Sequence, residues 1–224
     1  MTCSGFAELL VKGNRILIDR DCYSVNSWDI DSVLSSRHRY DVLNAKGRVV
    51  VDIGAGCGDT AILYSLSGAL VVYAIEPNPV LYRALLRTLE ANGLTGKVIP
   101  LLAALSDRCG LAVVDESMYS YAYEEFQAKG SGFVQVELFD YDALLELLYH
   151  PQYEYVLKVD CEGCEKHLLG RDLSVFSEVL IECHSGDVCS VLRAQLESQG
   201  FKVNAIDIFG SSDVMLLHGV KIKA

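Results

Sequence analysis

Val49-Val50-Val51-Asp52-Ile53-Gly54-Ala55-Gly56-Cys57-Gly58-Asp59 is the stretch on which the fold turns. A β-branched run broken only by Asp52 and closed by glycine predicts a strand buried on both faces, as in a parallel sheet. Glycines at 54, 56 and 58 then let the backbone turn sharply and approach a ligand where a Cβ would clash. DTAILYSLSG (59–68) follows with apolar residues at helical spacing and ends on Gly68. The unit is strand, glycine loop, helix.

The spacing inside that loop limits the ligand. A dinucleotide fingerprint, G-x-G-x-x-G, would place its third glycine where Asp59 stands, and no G-K-[ST] follows to make a phosphate loop. Asp52 and Asp59 would also repel a pyrophosphate. A ligand without phosphate that carries a positive group suits the loop better. The next predicted strand, LVVYAIEP (70–77), ends at Glu76, whose carboxylate can accept both hydroxyl protons of a ribose. Each feature alone also fits a structural turn with a solvated carboxylate. Together, in one strand–helix–strand unit, they predict a nucleoside site.

Outward from this unit the alternation continues. PVLYRALLRTLEANGL (79–94) reads as a helix with proline near its start, and KVIPLLAAL (97–105) as a third strand. Residues 107–140 alternate apolar and polar around a KGSG turn and predict a hairpin-like insertion. Its Tyr119, Tyr121 and Tyr123 read as a strand face on the core, with a lid over sugar or aromatic rings as the alternative. YDALLELLY (141–149) is a helix, YVLKVD (155–160) a fourth strand, EGCEKHLLG (162–170) a short helix, EVLIECH (178–184) a fifth strand and DVCSVLRAQLESQG (187–200) a helix. FKVNAIDIFGSSDVMLLHGVKI (201–222) reads as two strands joined at GSSD, which can set an antiparallel strand in a parallel sheet. Ahead of the core, LLVKGNRILI (9–18) resembles a hairpin, and Trp28, Ile30, Val33 and Leu34 recur at helical spacing. Residues 1–46 are therefore expected to form a lid or brace on a domain spanning 47–224. The fold class is α/β: a doubly wound, mainly parallel sheet with helices on both faces and its ligand beyond the carboxyl ends of the strands.

Composition narrows the setting. The 224 residues are 51% hydrophobic and 22% charged, enough for a full core, and disorder is excluded. A net charge of −11 and a pI near 4.8 oppose sequence-independent nucleic-acid binding, which needs clustered Lys and Arg. The N-terminus lacks a basic segment followed by a continuous apolar one, and no apolar run is long enough for a membrane helix. A cytoplasmic protein without membrane contact is expected. Eight cysteines (3, 22, 57, 109, 161, 164, 183 and 189) are too few for a disulfide-built secreted scaffold, and a reducing cytosol is the default. The even count and the CEGC at 161–164 leave room for disulfides, as in hyperthermophile interiors. Cys161, Cys164, Cys183 and His184 are also a zinc quartet by ligand type, with buried small hydrophobes as the plainer alternative.

Acid–base candidates cluster at two strand ends. Lys158, Asp160, Glu162 and Glu165 follow strand 4, and Glu182 and His184 follow strand 5. Alternation puts Lys158 and Asp160 on one face. His184 is the first candidate base because an ordinary imidazole pKa near ~6.5 suits proton transfer at neutral pH. Asp160 or Glu162 could orient an acceptor or serve instead. As plainer alternatives, Lys158 pairs with a carboxylate, Glu165 starts a helix and His184 caps a strand. Asp160, Glu162 and His184 could also hold a divalent cation by ligand type, though no metal is assigned.

At VVDIGAGCGDTAI (50–62) the chain resembles the class I S-adenosylmethionine-dependent methyltransferases. With AIEPNP (74–79), AALSD (103–107), FVQVELFDYDALL (133–145), LKVDCEGCE (157–165) and LIECH (180–184), it is similar to their FkbM-like family. The resemblance runs from about residue 47 to 200; cysteines at 161 and 164 depart from the aliphatic or variable residues expected there. It implies a seven-stranded Rossmann-like sheet with the last strand antiparallel, and S-adenosylmethionine as cofactor. Gly54, Ala55, Gly56 and Gly58 would wrap the methionine part, with Asp52 orienting the loop or the ammonium. Glu76 would hold the ribose, with Asn78 and the backbone near Ala104 beside the adenosine. It further implies O-methylation of a small-molecule or sugar hydroxyl, for which His184, Asp160, Glu162 and Lys158, read from their strand-end placement, are the candidate catalytic set. An RNA methyltransferase on the same fold and a non-catalytic nucleoside-binding module are the rivals; a dinucleotide oxidoreductase is disfavoured by the glycine spacing. Oligomeric state is not legible in the sequence.

Overall fold

The computed structural model describes residues 5–22, 37–115, 133–207 and 214–222. An N-terminal hairpin pairs β1 (Phe6–Val11) with β2 (Asn14–Asp19), the two strands joined by Lys12 and Gly13. Both turn residues have positive φ, the geometry whose twist matches paired strands. A 3₁₀ segment, Arg37–Val42, precedes β3 (Val49–Ile53), α1 (Asp59–Leu66), β4 (Val71–Ile75), α2 (Pro79–Ala91) and β5 (Val98–Leu101). Next come β6 (Ala103–Leu105), β7 (Gly110–Asp115), β8 (Phe133–Phe139), α3 (Tyr141–Leu148) and β9 (Tyr155–Val159). A 3₁₀ turn, Cys164–Leu168, leads to β10 (Phe176–Cys183), α4 (Gly186–Ser198), β11 (Phe201–Asp207) and β12 (Met215–Lys221).

The main sheet has seven strands in the order β11-β12-β10-β9-β3-β4-β5. β3 pairs in parallel with both β4 and β9, and β12 runs antiparallel to both β10 and β11. This is the expected doubly wound sheet with its last strand antiparallel. Because successive side chains point to opposite faces, β3 feeds two cores. Val50, with Val72 and Val156, packs under α1 and α2 against Ile62, Ala84 and Leu85. Val49, Val51 and Ile53 pack on the other face with Leu144 of α3 and Leu192 of α4. The strand order reverses between β3 and β9, so the crevice for a ligand opens where the glycine loop leaves β3.

Two expectations need correction. Residues 97–105 do not form one strand: β5 stays beside β4, whereas β6 leaves the main sheet and pairs in parallel with β8, which also pairs with β7. β4 pairs with β5 only as far as Ile75 opposite Leu101, so beyond Leu101 the strand finds its partner in β8. The element predicted at 162–170 is a single 3₁₀ turn rather than a regular helix. The KGSG and GSSD turns, the three insertion tyrosines, and Trp28, Ile30, Val33 and Leu34 lie outside the described residues.

The hairpin is fixed to α2 by polar contacts as well as by packing. The Asn92 side-chain amide donates to Leu17 O at 2.6 Å, and its Oδ1 accepts from Leu17 N at 2.9 Å. Asp19 N donates to the buried Thr88 Oγ1 at 3.0 Å, and Arg87 pairs with Asp19 and Asp21. A disulfide joins Cys22, just after the hairpin, to Cys57 in the glycine loop.

Candidate active site

The glycine loop is strung between β4 and the end of β9. Gly54 N and Ala55 N both donate to Ile75 O at 3.0 Å, and Asp160 N donates to Ile53 O at 3.0 Å. Gly54 has φ +76, and a Cβ there would lie 1.7 Å from Asp160 O, so the two loops cross at a distance only glycine allows. Gly56 also has positive φ, but a Cβ there would meet nothing within 4 Å. That open space leaves room beside the half-buried Gly56 for a ligand to approach the loop.

Glu76 closes the loop from the opposite side. Its Oε2 accepts from Gly56 N and its Oε1 from Asn78 N, each at 2.8 Å. Burial pushes its pKa up to about 7, against the lowering effect of those two N–H groups. Each oxygen keeps a lone pair for a ribose hydroxyl. Asn78 is committed elsewhere: its Oδ1 caps α2, accepting from Val80 N at 2.9 Å and Leu81 N at 3.2 Å, ahead of Pro79. The Ala104 side chain is buried with Ala112 and Leu138.

Asp52 and Lys158 are both buried, and they face each other rather than an acceptor. Lys158 Nζ lies 3.0 Å from Asp52 Oδ1 and donates to Gly54 O at 2.6 Å, while Thr60 Oγ1 donates to Asp52 Oδ2 at 2.6 Å. Burial alone would lower the Lys158 pKa, but Asp52 outweighs it and the ammonium is held charged. This lysine is a pillar under the glycine loop, the plainer of its two expected roles.

The remaining candidates meet at the carboxyl ends of β9 and β10. His184 Nε2 lies 3.2 Å from Glu162 Oε2 and 3.8 Å from Glu182 Oε1, and its Nδ1 lies 3.4 Å from Glu165 Oε1. The buried Glu165 ties this corner together, accepting from His184 N and Gly163 N at 2.8 Å each. Glu162 sits at φ +54, a left-handed geometry followed by Gly163, that turns the chain back on itself there. Burial lowers the His184 pKa, but the surrounding carboxylates prevail and push it up to about 9. At neutral pH the imidazole is therefore protonated, so an ordinary histidine pKa does not describe it. Ligand atoms of Asp160, Glu162 and His184 all lie within 4.8 Å of one another. By type they are divalent-cation donors, but here the imidazole is already paired with Glu162.

Cys161 and Cys164 form a disulfide, so they cannot both serve as thiolate ligands, and the zinc quartet is ruled out. Sequence reasoning missed Tyr40. It lies in the 3₁₀ segment ahead of β3, buried, with its hydroxyl 2.7 Å from both Asp160 Oδ2 and Glu182 Oε2. Nothing in its local sequence marks it; only the fold brings it over the site.

The sequence model of the FkbM methyltransferase domain matches residues 52–203, more than half of the chain. A 62-residue stretch is 39% identical to a probable protein arginine N-methyltransferase 6 of Arabidopsis thaliana, covering 28% of this chain and 14% of that protein. The chain thus spans only a small part of that relative. TYW2 from M. jannaschii, solved with AdoMet bound, is similar at TM-score 0.51 and 16% identity, over 98% of this chain and 87% of that one. Trm5b from Pyrococcus abyssi gives 0.51 and 16% over 97% and 56%. A precorrin-6y C5,15-methyltransferase from Geobacter metallireducens gives 0.50 and 12% over 88% and 93%. These likenesses are of fold. The chain belongs to the FkbM methyltransferase family, a class of S-adenosylmethionine-dependent enzymes.

Proposed function

We propose that this enzyme O-methylates a hydroxyl of a small molecule or sugar. The observation that carries the reading is the group of proton-handling side chains, Asp160, Glu162, Glu182 and His184, gathered beside the glycine loop. A hydroxyl must lose its proton as its oxygen is methylated, whereas a neutral nitrogen acceptor can attack with its lone pair first. S-adenosylmethionine, when bound, supplies the methyl group on a sulfonium. Gly54, Ala55, Gly56 and Gly58 hold its methionine end, Glu76 its ribose, and the backbone near Asn78 and Ala104 its adenosine, with Asp52 acting from beneath through Lys158.

Asp160 serves as the proton acceptor, because its backbone crosses Gly54 and its residue follows β9 directly beside the glycine loop. His184, charged until about pH 9, orients Glu162 and becomes a base only after losing its own proton. Residues 1–46 act as a brace on the domain that follows, since the hairpin rests on α2 and is tied to the glycine loop through Cys22. Among the described residues no helix is long and apolar enough to cross a membrane. A cytoplasmic setting would have to tolerate two disulfides, as hyperthermophile interiors do.

The test is incubation with methyl-labelled S-adenosylmethionine and three acceptor pools: polyhydroxylated small molecules and sugars, bulk RNA, and a protein mixture. Label in the first pool as a base-stable ether supports the reading. Label in RNA would move the enzyme to the nucleic-acid class, which its net charge of −11 opposes.

A further inference from the structure

Tyr40 lies outside residues 52–203, the part of the chain matched to the family. Its hydroxyl nevertheless stands 2.7 Å from Asp160 Oδ2 and 2.7 Å from Glu182 Oε2, on two different strand ends. A phenol has one proton to give, and an ionised carboxylate can only accept. With both carboxyls ionised, one of these contacts would set oxygen lone pairs against each other at hydrogen-bond distance. The geometry therefore requires a second proton on the three oxygens. We infer that Tyr40 is a positioning residue: it donates to Asp160, receives a proton-bearing hydrogen bond from Glu182, and so fixes Asp160 beside the glycine loop as the proton acceptor.

The surroundings favour this direction. Glu182 lies within β10, only 6% exposed, and opposite Leu216 of β12, so its charged form is poorly solvated. Burial first, and then the charge of Asp160, raise its pKa, against the lowering effects of Tyr40, Arg39 and His184. Asp160 sits at the end of β9, where its N–H is anchored to Ile53 O. Lys158 Nζ, 5.6 Å from the centre of the Tyr40 ring, adds positive charge on that side. Burial also holds the phenol itself well above its ordinary pKa, so it keeps its proton. The arrangement gives two neighbouring acids different hydrogen-bonding roles, the division of labour that acid–base sites require. The inference rests on the hydroxyl-methylation reading for its purpose, but not for its geometry.

Infrared spectroscopy of the full-length protein tests it without an acceptor. Glutamate carboxyls carrying a heavy-carbon label shift their own bands, which separates Glu182 from Asp160. In the wild-type minus Glu182→Gln difference at neutral pH, we expect the loss of a labelled protonated-acid C=O band. Tyr40→Phe, which keeps the ring and removes only the hydroxyl, should move that band to higher frequency as its hydrogen bond is lost. Glu76→Gln, removing another buried glutamate, should leave it in place. Loss of a labelled carboxylate band instead, or a band unmoved by Tyr40→Phe, overturns the assignment. Calorimetric titration of the same variants with S-adenosylmethionine and its demethylated product reports separately on the cofactor site, so a failure of the enzyme reading and a failure of the tyrosine bridge are distinguishable.

Discussion

Asp52 and Lys158 are register partners on neighbouring parallel strands, and their charged groups meet 3.0 Å apart in the sheet interior. One lysine thus neutralises a buried acid and holds Gly54 O from below. Lys158→Met would leave the buried Asp52 without its partner, at a cost of about 3–5 kcal/mol. Urea unfolding should show that loss, and Asp52→Leu added to it should recover part of the stability while cofactor affinity stays low. If the single variant unfolds like wild type, the pair is not the pillar described above.

Gly54 and Gly56 have similar backbone signs but different surroundings. Gly54→Ala would drive a methyl group to 1.7 Å from Asp160 O, and the crossing of the two loops would have to open. Gly56→Ala meets no atom, so its folding cost should be only about 1–2 kcal/mol, the usual left-handed penalty. Its methyl group would instead project into the open space where the proposed function places the cofactor. Calorimetry and denaturant unfolding should therefore separate the pair: Gly54→Ala loses stability first, Gly56→Ala loses S-adenosylmethionine affinity first.

Glu76 and His184 are among the groups that make the protein less stable as pH rises. Glu76 is raised from 4.5 to about 7, so the folded state holds a proton that the unfolded state has released, and that contribution is lost as pH climbs through about 7. His184 is raised from 6.5 to about 9; its contribution is complete below 6.5 and is lost through about 9. Melting temperature should fall from pH 5 to 9, and His184→Gln should flatten the upper half of that fall. Cofactor affinity should run the other way through about pH 7, because Glu76 must ionise to accept ribose hydroxyls. Calorimetry in buffers of different ionisation enthalpy should detect the proton released on binding.

The Cys22–Cys57 bridge closes 35 residues of chain. Loop-closure entropy assigns such a bridge about 4 kcal/mol. Cys22→Ser, or mild reduction, should lower the melting temperature and weaken S-adenosylmethionine binding together, since Cys57 lies in the cofactor loop. A drop in melting temperature with unchanged affinity would separate the brace from the site.

Most of the sheet was legible because short apolar runs such as Val49–Val51 and Tyr155–Leu157 are rich in strand-forming residues and spaced between helical segments, and because the glycine spacing at 54–58 excludes phosphate loops. Boundaries failed where tertiary pairing decides, as when β6 leaves β5 for a partner more than thirty residues on. The acid–base cluster could be named from strand ends, but the direction of Lys158 could not, since alternation gives a face and not a partner. The protonation of His184 was hidden for the same reason: Glu165, Glu162 and Asp160, brought to it from the end of β9, set it. Tyr40 left no local trace at all.

β12 enters the sheet between β10 and β11, although β11 precedes it along the chain. A ribosome therefore delivers an outer strand before the inner one on which it must pair. Until Met215–Lys221 emerges, β10 offers an unpaired edge beside Glu182, and β11 has no strand to join. The β10 side of the sheet is thus the last part of it to be completed during synthesis. A nascent chain stalled before Met215 would present β10 as an open template for strand addition by another molecule.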